Sequence, residues 1–165
     1  MLVDLQSPGV VLDRLYALNR EEVDLAAASA RAAHSKQARK VVATIEADHQ
    51  QVLVQVLAVA KAQNLVIVDP LTLDLAPADR QEIEASTAEM IAVQTGRAGA
   101  GFDAALLTAL EDADKMELRL ARDASQGSGP SAQALRPLAE QLSALVHQEE
   151  VSADAALNRM GRKHG

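Results

Sequence analysis

Apolar residues recur every three or four positions along four long stretches of the chain, which is the spacing of amphipathic helices that pack together. The first stretch follows Ser7–Pro8, a pair typical of a helix start, and runs to about residue 33. The second covers residues 36 to about 63, with Ser35 as its predicted cap. A tight turn at His34 and Ser35 therefore joins two helices into an antiparallel hairpin.

The second half of the chain predicts another hairpin of the same build. One helix is predicted from Phe102 to Ser125 and the last from Ala132 to about Met160, with a flexible turn at residues 126–131 between them. Pro137 lies inside the last helix. We expect it to kink or divide that helix, because proline removes a backbone hydrogen bond and clashes with the preceding turn.

A long connection, residues 64–100, separates the two hairpins. Residues 65–68 are apolar, but Pro70 and Pro77 interrupt the segment after them, so a crossover lying along the helices is favoured over a strand. A short helix is predicted from about residue 78 to 94 within this connection.

These elements predict an all-α fold in a single domain over residues 1–165. Hairpin one occupies residues 8–63, the crossover with its short helix residues 64–100, and hairpin two residues 101–160. Two hairpins joined by a long crossover are the arrangement of a ferritin-like four-helix bundle. The chain has one Tyr, one Phe and no Trp, and a core of Leu, Val, Ile and Ala suits closely packed helices.

Composition and charge exclude several function classes. The formal net charge is −7, whereas a nucleic-acid-binding protein needs a basic surface. The chain has no cysteine, so it has no disulfide and no thiolate ligand. No apolar run approaches the roughly 18–20 residues of a membrane span. A nucleophile elbow and a phosphate-binding glycine loop are both missing, which favours a protein that is not an enzyme.

The cellular location and the physiological partner stay open. The first residues, MLVDLQSPGVV, lack the basic and apolar regions of a signal peptide. The protein is therefore cytoplasmic, or it is a mature chain that reached the periplasm or the cell exterior after its signal peptide was removed. Exposed Ala and Leu on helix faces also allow a homodimer.

Three of the four long helices carry one ionisable residue in the middle of an apolar stripe. Residues three, four and seven apart share a helix face, and by this measure Glu22, His49 and Asp114 each lie among Leu, Val, Ile or Ala. Counted from the predicted turns, the three residues lie at similar heights. We therefore predict that they meet in one layer of the core.

Such a layer must pair, lose its charge or bind a metal ion, because burying an unpaired charge costs several kcal/mol. In di-iron bundles two helices each supply a Glu and two supply Glu-x-x-His. Here Glu46 and His49 form one Glu-x-x-His pair, whereas Ala144 stands where the Glu before His147 would be. The candidate ligands for iron, manganese or zinc are Glu22, Glu46, His49, Asp114 and His147.

The alternative is a hydrogen-bonded structural network that fixes helix register, or a small helix rotation that brings Glu22 or Asp114 to solvent. The remaining acidic residues of these helices are interpreted as solvent-facing. They are Asp48, Glu111, Asp112, Glu149 and Glu150. His34 is interpreted as a helix-end residue and His164 as part of a frayed tail.

Several short motifs resemble a known family. They are ADHQQ (residues 47–51), GAGFDAALLTALEDADK (99–115) and LRPLAEQL (135–142). They are similar to those of a ferritin-like bacterial family of unknown function, often described as predicted outer-membrane or envelope proteins. The resemblance covers the chain from about Val11 to Val151. It implies a ferritin-like fold, an envelope location and a binding or stress-related role.

Two positions depart from the family pattern. Asp114 stands where the family has a histidine in the third long helix, and Leu142 occupies a later histidine position. Only His49 remains of the three inward histidines, which weakens the metal interpretation. The favoured hypothesis is a non-enzymatic envelope or stress-related binding protein with a degenerate polar core site. The alternatives are a metal-binding bundle or metal oxidase that uses Glu22, His49 and Asp114, and a homodimeric interaction module.

Overall fold

The computed structural model describes Asp4, residues 6–96 and residues 101–162, and this part of the chain folds into five α-helices without a strand. The helices are α1 (Pro8–Ser29), α2 (Lys36–Ala62), α3 (Pro77–Thr95), α4 (Phe102–Ser125) and α5 (Pro130–Arg162), with a 3-10 turn at Pro70–Thr72. Three of them begin at proline, which suits the first helical turn because the backbone N–H there has no intrahelical partner. The all-α prediction is confirmed.

Side-chain contacts show the direction of each helix. Lys115 on α4 lies 3.9 Å from Glu150 on α5, and Arg122 donates to the Ser143 hydroxyl at 2.8 Å, so α4 and α5 are antiparallel. By the same reasoning α2 and α5 are antiparallel, because Ser131 contacts Gln63 and Arg159 contacts Gln37.

The helices α1 and α4 also run in opposite directions. At one end the backbone N–H of His34, just after α1, donates to Asp103 at the start of α4. At the other end Arg14 and Arg119 both contact Glu82 of α3, at 2.8 and 3.3 Å. Each long helix is therefore antiparallel to its two neighbours around one shared core.

This arrangement requires the connection from α2 to α4 to travel from one end of the helices to the other. Its first part lies along α1, where the Val68 N–H donates to the Asp13 carboxylate at 2.9 Å. Ile67 packs on the core, but Val66 is 83% exposed. The helix α3 then packs on α1 and α4. At Pro77–Thr95, α3 has 19 residues and extends one residue beyond each end of the helix predicted from about residue 78 to 94.

Two local predictions about helix starts and interruptions have different outcomes. Ser35 caps α2 as predicted, accepting the Ala38 N–H at 2.9 Å, whereas Ser7 makes no side-chain cap bond. Division of the last helix at Pro137 is wrong, since α5 is continuous from Pro130 to Arg162. The apolar face packs into the core on both sides of Pro137, at Leu135 and Leu138, and this packing offsets the lost hydrogen bond.

Some sequence predictions fall on residues outside the described part of the chain. They are residues 97–100, at the end of the predicted connection, and His164 in the predicted tail. Within the described residues, no helix is both long enough and apolar enough to cross a membrane.

Candidate metal centre

Six polar side chains lie in the interior of the helices, between apolar layers. All are between 0% and 2% exposed, and every long helix contributes at least one. They are Asn19 and Glu22 on α1, His49 on α2, Asp114 and Glu117 on α4, and Glu149 on α5. We call this group the polar layer. Four carboxylates and one imidazole therefore share a site from which water is excluded.

Helix periodicity carries these side chains inward. Each of the six lies three, four or seven residues from aliphatic residues of its own helix that are themselves buried, such as Leu15 for Asn19, Ile45 for His49 and Leu142 for Glu149. When those apolar residues pack against neighbouring helices, the polar residue on the same stripe is buried with them. The polar layer is thus a direct consequence of where the stripes place acidic side chains.

The Nδ1 side of the His49 ring faces α1 and α4. Nδ1 lies 2.8 Å from Asn19 Oδ1, 2.9 Å from Glu22 Oε2 and 3.9 Å from Glu117 Oε2. The Asn19 amide nitrogen donates to the Leu15 carbonyl at 2.7 Å, so the amide oxygen is the atom turned toward the ring. When the neutral ring carries its proton on Nδ1, that N–H donates to Asn19.

The other ring nitrogen faces two carboxylates. His49 Nε2 lies 3.0 Å from Asp114 Oδ1 and 3.3 Å from Glu149 Oε2. When Nδ1 carries the proton of a neutral ring, Nε2 has a lone pair that points at oxygens which also only accept. Such an arrangement is repulsive unless a proton or a metal cation lies among the three atoms.

Six carboxylate oxygens of the polar layer make no hydrogen bond: both oxygens of Glu22, both oxygens of Glu117, Asp114 Oδ1 and Glu149 Oε1. Two of them, Glu22 Oε2 and Asp114 Oδ1, nevertheless lie 2.9 and 3.0 Å from the ring nitrogens of His49. Buried polar atoms in native proteins are nearly always satisfied, so a cluster of orphaned acceptors requires an explanation. Bound protons or a bound cation would each supply what these oxygens lack.

The pKa values of the layer reflect this shortage of donors. Burial, reinforced by the charge of Asp114, raises the pKa of Glu22 to about 7 and of Glu149 to about 8, although His49 partly offsets the rise. Burial beside Glu22 raises the pKa of Glu117 well above its usual value. Burial alone would lower the pKa of His49, but its carboxylate neighbours outweigh this and raise it well above normal.

Two overlapping groups of side chains have ligand atoms close enough together to hold one ion. The first is Glu22, His49 and Glu117, and the second is His49, Asp114 and Glu149. In both, the ligand atoms lie within 4.8 Å of one another. In the tautomer with the proton on Nδ1, the second group offers a nitrogen lone pair and the first does not.

The predicted convergence of Glu22, His49 and Asp114 in one layer is confirmed by these distances. Glu46 and His147 lie outside the layer. Glu46 is half-buried and lies 3.4 Å from the Gln50 amide. Glu46 precedes His49 by three residues, so its position on the helix is about 60° away from that of His49. His147 is exposed, since α5 turns the position of Glu149 inward instead.

The interpretation of Glu149 as a solvent-facing residue is wrong, since Glu149 is 2% exposed. It lies seven residues after Leu142 and three after Val146, so its stripe indicated burial. Glu117 and Asn19 were not predicted at all. Both carry the same signal, because Glu117 follows Leu110 by seven residues and Asn19 follows Leu15 by four.

No family model, no curated protein and no solved structure matches this chain. The resemblance to a ferritin-like envelope family therefore stays a prediction, and the site has to be interpreted from its own geometry.

Proposed function

We propose that this protein binds a divalent transition-metal ion in the core of its helices. The ligands are His49 Nε2, Asp114 and Glu149, and Asn19 positions the imidazole by accepting its Nδ1–H. The observation that carries the proposal is the set of buried carboxylate oxygens around this ring, six of which make no hydrogen bond.

Charge balance supports one ion on the Nε2 side of the ring. A divalent cation neutralises the ionised Asp114 and Glu149, and the imidazole is neutral when it is a ligand. Burial raises the pKa values of Glu22 and Glu117 on the other side of the ring, which favours their protonated forms. The ion and these protons together reduce the net charge of the core, as buried ionic groups require.

The ligand set indicates which ions fit. An imidazole nitrogen with two carboxylates suits zinc, iron or manganese and lacks the soft sulfur ligands that copper(I) prefers. Three protein ligands are fewer than the four of a closed structural zinc site. The centre is almost fully buried, so we assign it a binding function rather than the turnover of a large substrate.

The helix directions support placing this centre in a ferritin-like four-helix bundle. Each long helix is antiparallel to both neighbours, and the long connection from α2 to α4 runs the length of the helices. Bundles of this kind build metal sites from carboxylates and histidines on facing helices. The family resemblance implies an envelope or stress-related role. The proposal includes this role on the basis of the resemblance alone.

The test is metal content after loading. Protein freed of metal is incubated separately with Fe²⁺ under anaerobic conditions, Mn²⁺ and Zn²⁺, desalted and analysed by elemental mass spectrometry. We expect about one equivalent of at least one ion, and a loss of affinity of at least about tenfold in Glu149→Gln, since a ligand charge is removed. Glu150→Gln is the matched control, because Glu150 is adjacent but contacts Lys115 at the surface.

Absence of bound metal after all three loadings would overturn the proposal. The layer would then be a network of shared protons that fixes helix register, the alternative that the sequence already leaves open.

A further inference from the structure

A cleft between α2 and α5 reaches the polar layer from outside. Its volume is about 240 Å³. Lys40 and Thr44 of α2 line one wall, Gln148 and Ser152 of α5 line the other, and Ile45 and Glu149 belong to the same lining. A buried member of the proposed centre is therefore also part of the wall of a surface cleft.

Glu149 connects the two environments. Its Oε2 lies 3.3 Å from His49 Nε2, whereas Oε1 is buried and has no hydrogen-bond partner. The side chain is only 2% exposed, so water in the cleft touches it little. A carboxylate with one oxygen at the ring and the other unoccupied is suited to meet a cation first and pass it inward.

We propose that this cleft is the route by which the cation enters and leaves the centre, with Glu149 as the first ligand it meets. This inference rests on the proposed function, because it assumes that the centre binds a cation. It adds a statement about rates: the α2–α5 cleft, and no other face of the helices, controls loading and release.

The chemistry of the walls suits an ion that is losing its water shell. The Thr44 hydroxyl donates to the Lys40 carbonyl and the Ser152 hydroxyl donates to the Gln148 carbonyl, so the lone pairs of both oxygens stay available to water or a cation. Ser152 lies one helical turn after Glu149, on the same face of α5.

The Lys40 ammonium is the exception among these groups. It is exposed and belongs to the cleft lining, where its charge repels an approaching cation.

The first experiment obstructs the cleft. Binding of Co²⁺ to metal-free protein is followed by its visible absorption in a stopped-flow instrument, and Kd is measured at equilibrium by titration. In Ser152→Phe an aromatic ring covers the approach to Glu149, and we expect loading and release to slow together by about tenfold or more with Kd changed by less than about twofold.

Ala144→Phe is the control, because it adds the same ring at an exposed position of α5 outside the cleft. Circular dichroism and thermal unfolding verify that both variants are folded. Wild-type loading and release rates in Ser152→Phe, or a changed Kd with an unchanged loading rate, would overturn the route.

The second experiment leaves the packing intact and changes only the charge at the cleft. Lys40→Gln removes the repulsion, so we expect Co²⁺ loading to accelerate by about twofold to fivefold at low ionic strength, and by less at about 0.15 M salt, where charges are screened beyond about 8 Å. Lys61→Gln, an exposed lysine of α2 outside the cleft lining, is the control. Equal rates in both lysine variants would overturn the route.

Failure of the route and failure of the proposed function are distinguishable. If wild-type protein binds Co²⁺ but the cleft variants match their controls, the centre stands and the route is wrong. If wild-type protein binds neither Co²⁺ nor any of Fe²⁺, Mn²⁺ and Zn²⁺, neither statement survives.

Discussion

This protein has two groups of buried carboxylates, and α4 contributes to both. The two groups differ in the hydrogen-bonding partners around them. Asp103, in the first turn of α4, is 3% exposed, and its two oxygens accept the backbone N–H groups of His34 and Ser35, each at 2.7 Å. Asp114 and Glu117, farther along the helix, are as deeply buried and face other acceptors. The carboxylates are therefore similarly shielded from solvent at both places, but they differ in the hydrogen-bond donors available to them.

The pKa values reflect this difference. Burial tends to raise the pKa of Asp103, but hydrogen bonds from two backbone N–H groups outweigh it and hold the pKa below its usual value. In the polar layer burial dominates, and the pKa values of Glu22, Glu117 and Glu149 rise. Asp103 is thus a complete structural contact between α4 and the α1–α2 turn, whereas the four carboxylates of the polar layer share a single imidazole.

Metal ions should stabilise the polar layer and leave the Asp103 contact unaffected. At a free-ion concentration about a thousandfold above Kd, we expect the free energy of unfolding to rise by about 4 kcal/mol. For a chain of this size that raises Tm by roughly 10 °C. Differential scanning fluorimetry should show the same shift in wild-type protein and in Asp103→Asn, and a shift at least about a third smaller in Glu149→Gln, since a tenfold weaker site loses about 1.4 kcal/mol of the stabilisation. A shift that is lost in Asp103→Asn would erase the distinction.

Loss of the Asp103 carboxylate should destabilise the protein whether or not metal is present. Asp103→Ala leaves the N–H groups of His34 and Ser35 unpaired, and we expect a loss of about 2–4 kcal/mol in urea unfolding. The control, Asp112→Ala, removes an exposed carboxylate from the same helix and should cost less than about 0.5 kcal/mol. Metal affinity should stay within about twofold of wild type in both variants.

Most of the helical architecture was predictable because it depends on local patterns. Apolar residues at spacings of three and four residues predict where helices lie, and the cap at Ser35 follows from its hydroxyl. The wrong division at Pro137 shows the limit of local rules. Whether a proline ends a helix depends on what its flanking residues pack against, and here Leu135 and Leu138 hold both sides in the core.

The site was predicted in part, and the reason for each miss is physical. Glu22, His49 and Asp114 were predicted because apolar residues precede and follow each of them on the same helix face. Glu149 was missed because residue type favours the nearby His147 as a ligand, although stripe geometry favours Glu149. The angular position of a residue around the helix axis is thus a better guide to its burial here than its residue type.

The Asp103 contact could not be predicted from sequence in the same way. Its donors lie 69 and 68 residues away in the chain, on a turn whose position depends on the fold. Nothing near Asp103 distinguishes it from any acidic residue in the first turn of a helix.

The two groups should respond to pH with opposite signs. A carboxylate whose pKa is lowered on folding, such as Asp103, stabilises above its unfolded pKa, and this contribution is lost as pH falls through the folded value. Groups whose pKa is raised, including Glu22, Glu149 and His49, stabilise at low pH. Their contribution is lost as pH rises through the folded values, about 7 for Glu22 and about 8 for Glu149.

Metal-free protein should therefore be most stable in mildly acidic solution and weaken toward about pH 8, by up to about 1.4 kcal/mol per pH unit for each group. Urea unfolding from about pH 3 to about pH 9 measures this. Metal should reverse the alkaline decline, because ions compete with protons for the same atoms. A metal-free protein whose stability rises steadily between about pH 5 and pH 8 would contradict the assignment.

The smallest expected effect separates the two sides of the His49 ring. Glu117→Gln keeps the shape of the side chain and removes an acid whose pKa burial raises well above its usual value. At about pH 8 the unfolded chain carries this carboxylate ionised, so folding has to take up a proton, and the substitution should stabilise metal-free protein by about 1 kcal/mol or more. At about pH 5 the gain should nearly vanish, and Glu140→Gln, at an exposed position of α5, should show no gain at either pH.

Metal binding should survive in Glu117→Gln, since this residue faces Nδ1 at 3.9 Å and lies outside the proposed ligand set. If Glu117→Gln instead abolished metal binding, the ion would belong on the Nδ1 side with Glu22, and the bond from Nδ1 to Asn19 would have to break when metal enters.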